Sequence, residues 1–313
     1  MNAPTARKAL EPDASLDAFR ADRTYLGADH LRNERRTRLV AGICVVSLVI
    51  QVGGGLAFNS MALVAGGVHM AGHVAALVIA AAAYALARRY AADPRFSFGA
   101  GKIGYLAAFA NAVVLGVTAL VVLVESVERI VAPAEVGYHA ALPLAAAGLV
   151  ISLFCAWLLR PAQRAHDHDR LGDLNLSVAH LHLTADAAVA GLAIVGLGAG
   201  KLFGWAWADP AAGVLGAVLI AQFAFVLMSR AGAVLLDMNP SPELAEEIRR
   251  RLQAEGGRVI DLHLWRLGPG HHAVIAVVAG EDARPAEAYR VQLADLPGLS
   301  HITIEVRPEG PAR

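Results

Sequence analysis

The chain has 313 residues, 56% of them hydrophobic and 17% charged, and its mean hydropathy of +0.49 exceeds what an ordinary soluble domain needs to fill one core. Its 27 Lys and Arg balance 27 Asp and Glu, and no basic block interleaves with aromatics, which argues against a nucleic-acid partner. Cys44 and Cys155 both lie in apolar runs and read as small hydrophobes, not as a disulfide framework or a metal cluster.

Residues 1–38 are polar and too highly charged for the leader of a cleaved signal peptide, and they read as a cytoplasmic tail. Six apolar stretches follow, Leu39 to Phe58, Met61 to Ala87, Ile103 to Val131, Ala140 to Leu159, Leu174 to Ala199 and Pro210 to Leu236. Each approaches the roughly 20 helical residues that cross about 30 Å of hydrocarbon. Basic residues gather on one side: Arg32, Arg35, Arg36 and Arg38 before the first stretch, Arg88, Arg89, Arg95 and Lys102 between the second and third, Arg160, Arg164 and Arg170 between the fourth and fifth. The opposite connections carry little beyond Lys201. Because basic loops stay in the cytoplasm, an even number of spans places both termini there. Residues 39–238 then form a six-helix transmembrane domain, and 239–313 a cytoplasmic one.

That last domain begins at Asn239-Pro240-Ser241-Pro242, where Ser241 can cap a helix with Pro242 in its first position, followed by LAEEIRRRLQ and a Gly256-Gly257 stop. Ile260, Leu262 and Leu264 alternate with polar neighbours, and Gly268-Pro269-Gly270 turns into a second apolar run, Ala273 to Ala279. A second helix from near Pro285 and an alternating strand through Ile302, Ile304 and Val306 complete a small α+β sandwich.

Polar residues inside the spans carry the chemistry. His69 and His73 stand at i and i+4 in the second span, about 6 Å apart along one helical face. His182 and Asp186 repeat that spacing in the fifth, so together the pairs offer three nitrogens and a carboxylate, enough for a tetrahedral metal site. Ionisable groups at mid-membrane cost about 2.5–3.5 kcal/mol each on insertion scales and turn toward a cavity or a partner. His180 lies about 200° around the helix from His182 and reads as interfacial. His166 and His168, in the AHDHD loop, and His263, in the last domain, are accessory candidates that could collect metal, against the plainer reading of solvated surface histidines. Glycines at 53–55, 66, 67, 72, 191 and 196 permit close helix approach.

From Leu39 to Arg307 the chain resembles the cation diffusion facilitator family. The two metal pairs carry the likeness, with NSMALVAGGVHM entering the second span, FSFGAGK leading to the third, LLD closing the sixth, and DLHLWRLGPGH in the last domain. The resemblance implies a homodimeric, proton-coupled exporter of divalent metal with six spans and a ferredoxin-like cytoplasmic domain, and no prosthetic group. It also implies a metal site at His69, His73, His182 and Asp186, and a charge interlock of Lys102 with Asp237 between the third and sixth spans. Zinc exporters of the family usually end the second-span pair with Asp where this chain has His73. An imidazole in place of a carboxylate suits cobalt and nickel as well as zinc or cadmium, and HxxxH with HLWRLGPGH resembles the cobalt and nickel branch. Phe96 and Ala100 replace His ligands that some relatives carry ahead of Lys102, which implies that this accessory site is missing.

Two other classes are set against this reading. An intramembrane zinc metalloprotease needs a general-base Glu beside the first His, where this chain has Met70. A metal-gated channel or receptor could use the same ligands without turnover. With no targeting signal recognised, an Ala-, Gly- and Arg-rich chain fits a bacterial plasma membrane.

Overall fold

The computed structural model describes residues 24–27, 29–57, 61–132, 137–160, 173–254, 257–280 and 284–308, and side chains from residue 70 onward in the second helix. Among the described residues, six helices are long and apolar enough to cross a membrane: α1 (His30–Ala57), α2 (Met61–Arg89), α3 (Ile103–Val131), α4 (Tyr138–Leu158), α5 (Leu174–Phe203) and α6 (Ala208–Leu235). Large apolar side chains such as Val49, Ile50, Leu120, Trp157, Leu215 and Phe225 stay exposed on their outer faces. That is the surface a bilayer, not water, would solvate.

The helices pack around two clusters. Tyr105, Ala108, Ala112 and Leu115 of α3 meet Ile220, Ala224 and Leu227 of α6, with Leu174 and Val178 of α5 against them. Val40 and Cys44 of α1, Met70 and Leu77 of α2 and Cys155 and Leu159 of α4 form the other, with Leu176, Ala179 and Leu183 of α5. Helix α5 therefore stands on the seam between the two halves, one face in each. Small residues set the approach: a Cβ on Gly196 would lie 2.8 Å from the Asp209 Cα at the start of α6.

Helix α1 begins nine residues before the apolar stretch that marks it in the sequence, so part of the expected tail is helix. Its first turns carry polar residues that are buried, Asn33, Glu34 and Thr37. Two of them are held by partners: Glu34 meets Arg88 of α2 at 3.1 Å and Arg38 at 2.5 Å, and Asn33 donates to Asp173 Oδ2 at 2.8 Å. Hydropathy alone does not register a polar helical turn that is solvated by charges on a neighbouring helix.

Helix α7 (Pro242–Ala254), β1 (Arg258–Gly268), β2 (His271–Gly280), α8 (Ala286–Leu293) and β3 (Leu299–Pro308) follow. Ser241 caps α7, its Oγ accepting from Leu244 N at 3.1 Å. The strands lie in the order β1-β2-β3, the first pair antiparallel and the second parallel across the α8 connection. Leu244, Ile248 and Leu252, spaced four apart on α7, and Tyr289 and Leu293 of α8 cover the sheet around Val274, Ala276 and Val278. This is the α+β sandwich expected from the pattern of apolar residues.

Two motifs far apart in sequence meet at the joint between the domains. The connection from α2 to α3, which carries FSFGAGK, lies against the β1–β2 hairpin. A Cβ on Gly101 would come within 2.4 Å of Leu267 O and 2.7 Å of Tyr25 O, which leaves glycine as the residue that fits. Phe98 packs edge-on against Trp265 with ring centroids 5.4 Å apart, and buried Arg266 donates to the Tyr105 hydroxyl of α3 at 3.3 Å.

Candidate metal centre

The stripe of α2 facing the bundle reads Met70, His73, Ala76, Leu77, Ala80, Ala83, Tyr84 and Ala87, all buried. Alanines at this spacing let α3 and α5 come close, and they leave His73 as the large polar group at its depth. On α5, Asn175, His182 and Asp186 are seven and then four residues apart, which keeps them on one face. Asp173 caps that helix, accepting from Leu176 N at 3.1 Å, so its register is fixed at the first turn.

The two faces bring three side chains together. His73 Nδ1 lies 3.2 Å from His182 Nε2 and 3.0 Å from Asp186 Oδ2, and the third edge, His182 Nε2 to Asp186 Oδ2, is 3.4 Å. Bonds of about 2.0–2.1 Å in a tetrahedron put neighbouring donors about 3.3 Å apart, so this triangle has the dimensions of one face of a tetrahedral metal site. All three side chains are 9% exposed or less. Among the described residues this is the one group of three metal-type donors within such reach. A small cavity of about 10 Å3 adjoins it, lined by His73, Ala76, Asn111, Val178, His182 and Leu183 among others.

The remaining sequence candidates fall as follows. His69 sits on α2 one turn ahead of His73, and its side chain lies outside the described residues, as do His166 and His168 altogether. His263 stands on the exposed face of β1, its Nε2 2.7 Å from Asp261 Oδ2, with no third donor near among the described residues. His180 turns away from the cluster and bonds Ala156 O of α4 at 2.9 Å. Lys102, just ahead of α3, forms an ion pair with Asp237, just past α6. Cys44 and Cys155 are buried, free thiols.

Sequence reasoning passed over two buried amides. Asn111 of α3 donates to Ala76 O at 3.1 Å and Asn175 of α5 to Ala80 O at 3.0 Å. The Oδ1 atom of each is buried without a hydrogen-bond partner among the described residues. An unmet buried carbonyl costs about 1–3 kcal/mol. The signal that could have found them is an amide inside an otherwise apolar span.

Six membrane-length helices around a buried His and Asp cluster define an integral membrane protein with a cation-type donor set. Residues 38–236 match the cation efflux transmembrane domain, and the chain belongs to the cation diffusion facilitator family, whose members are transporters of divalent metal and not enzymes. Metal is thus the transported substrate and no prosthetic group. Among its relatives, the cadmium, cobalt and zinc/H(+)-K(+) antiporter of Bacillus subtilis is 26% identical over 300 residues, covering 91% of this chain and 93% of the relative. The metal cation efflux system protein CzcD of Cupriavidus metallidurans is 29% identical over 296 residues, 90% of each chain. The zinc transporter ZitB of Yersinia pestis is 31% identical over 245 residues, 75% of this chain and 74% of the relative.

Proposed function

We propose that this efflux transporter carries cobalt and nickel, along with zinc or cadmium, out of the cytoplasm in exchange for protons, and that His69, His73, His182 and Asp186 hold the ion midway. The observation that carries the reading is the triangle of His73 Nδ1, His182 Nε2 and Asp186 Oδ2, with edges of 3.0–3.4 Å. His69, one turn along α2, supplies the fourth donor in this reading. Three imidazoles and a single carboxylate form a more borderline donor set than two of each, which supports acceptance of cobalt and nickel beside zinc. The Bacillus subtilis relative's name gives cadmium, cobalt and zinc exchanged with H(+) and K(+), which supports the cobalt, zinc, cadmium and proton parts of the proposal.

Imidazole with its ordinary pKa of about 6.5 binds metal and proton at the same nitrogens, so the two compete across the physiological range. The cycle follows from that competition. Metal enters from the cytoplasm, the half containing α1, α2 and α4 rocks against α3 and α6, and protons from outside displace the ion and reset the carrier. The arginine-rich ends of the spans face the cytoplasm in this scheme, the protein works as a homodimer in a bacterial plasma membrane, and the Lys102–Asp237 pair ties α3 to α6 as one unit.

The test is metal flux into reconstituted vesicles under an imposed pH gradient, with cobalt, nickel, zinc and cadmium, for wild type and His73→Asp. Wild-type preference for cobalt or nickel, shifted toward zinc by His73→Asp, supports the reading. Flux that does not saturate and ignores the gradient would instead describe a channel.

A further inference from the structure

We propose that the side-chain oxygens of Asn111 and Asn175, with the Asp173 carboxylate at the mouth, line the route by which a divalent cation passes between the arginine-rich end of the bundle and the His73–His182–Asp186 cluster. This rests on the transport reading above and assigns the path to a site that reading leaves enclosed.

The residues form a ladder along one face of α2. Ala76 O, Ala80 O and the Tyr84 hydroxyl follow His73 at steps of about 4.5, 6 and 6 Å along the axis. Each rung is met by a polar side chain from another helix. Asn111 Nδ2 of α3 bonds Ala76 O at 3.1 Å, and Asn175 Nδ2 of α5 bonds Ala80 O at 3.0 Å. The Tyr84 hydroxyl donates to Asp173 Oδ2 at 2.5 Å, which also accepts from Asn33 Nδ2 of α1 at 2.8 Å.

Bonding to a backbone carbonyl fixes which way each amide points, because a carbonyl can only accept. The Oδ1 atoms are therefore turned away from α2. Both residues are 2% exposed, and both oxygens lack a hydrogen-bond partner among the described residues. Asn111 lines the cavity that His73 and His182 also line, so its amide borders the metal cluster. A residue needed only to pin α2 would have to supply a donor and nothing more. These amides also bring an acceptor into an apolar interior where no described residue donates to it, an oxygen that a cation or the water it carries can use.

Neutral oxygens suit a path better than a site. Carboxylates or imidazoles at these depths would trap the ion, whereas amide carbonyls replace part of its hydration shell and let it move on. The ladder also crosses the seam: Asn111 reaches from the α3–α6 half to α2 in the other, so rocking would break that rung and free the amide.

The test uses the full chain in vesicles with Asn111→Leu and Asn175→Leu, reading initial cobalt flux, the absorption spectrum of bound cobalt in detergent, and the thermal midpoint. The expected result is at least a tenfold loss of flux in each variant with the cobalt spectrum and midpoint unchanged. Flux within twofold of wild type, or flux lost only together with the spectrum or the midpoint, overturns the proposal. Should the leucine variants fail to fold, Asn111→Cys and Asn175→Cys in a Cys44→Ser, Cys155→Ser background decide it. A small cationic thiol reagent is expected to label both, and cobalt to slow the labelling; no labelling overturns the path. Loss of the cobalt spectrum in His73→Ala checks the metal centre separately, so failure of that reading is not mistaken for failure of this one.

Discussion

At the scale of single residues, the proposed metal centre depends on which atoms face inward. His73 turns Nδ1 toward the cluster and His182 turns Nε2, so the two imidazoles reach one point from different helices. Asp186 supplies the carboxylate in the triangle, and without it the remaining donors carry no charge to offset a divalent ion. Asp186→Ala is expected to abolish both cobalt binding and flux while leaving the helical content of the protein unchanged by circular dichroism. His263→Ala, on an exposed strand face beside Asp261, should leave flux within about twofold. Asp237 poses a different question, since it adopts a left-handed backbone with φ of 56°. An Asp there costs about 1 kcal/mol relative to glycine, and its ion pair with Lys102, half exposed, is worth about that much at most. Asp237→Gly should therefore hold its thermal midpoint within a few degrees, and any loss of flux in it would point to the tie between α3 and α6.

Helices act here through their faces. Helix α5 carries Val178 into one apolar cluster and Ala179 and Leu183 into the other, so the site on it lies where two packed halves meet. Its C-terminal half is pressed against the start of α6 at Gly196, where a Cβ would meet the Asp209 Cα at 2.8 Å and Ala208 O at 2.9 Å. Gly196→Ala is expected to lower stability by about 1–3 kcal/mol through overpacking against backbone, visible as a lower thermal midpoint in detergent. For close approach the sequence offered the glycines, and the buried alanines of α2 at 76, 80, 83 and 87 emerge only in the structure. What they pack against was not legible either, because Asn111 and Asn175 come from other helices and their bonds to Ala76 O and Ala80 O depend on helix register.

For the molecule as a whole, the joint between the membrane bundle and the α+β domain is built from glycines and aromatics that lie more than 150 residues apart. Gly101 leaves no room for a side chain beside Leu267 O and Tyr25 O, and Phe98 rests on Trp265. Gly101→Val is expected to loosen the joint, which limited proteolysis in the segment after α6 would detect as faster cleavage than in wild type. Arg266→Met, which keeps the length of the side chain but loses its bond to the Tyr105 hydroxyl, should act in the same direction and more weakly.

The sequence by itself determined the number of membrane helices, the sandwich pattern of the last domain, and the residue types of the donor set, because hydropathy, alternation and i, i+4 spacing are local properties. It also carried the family, through motifs in order. Only the tertiary structure decided that His73, His182 and Asp186 meet at edges of 3.0–3.4 Å, that FSFGAGK and RLGPG touch, that α1 starts with a buried Glu34 paired to arginines, and that the amides of Asn111 and Asn175 bond Ala76 O and Ala80 O. Those are contacts between distant segments, and they follow from helix rotation and register, which no local spacing specifies.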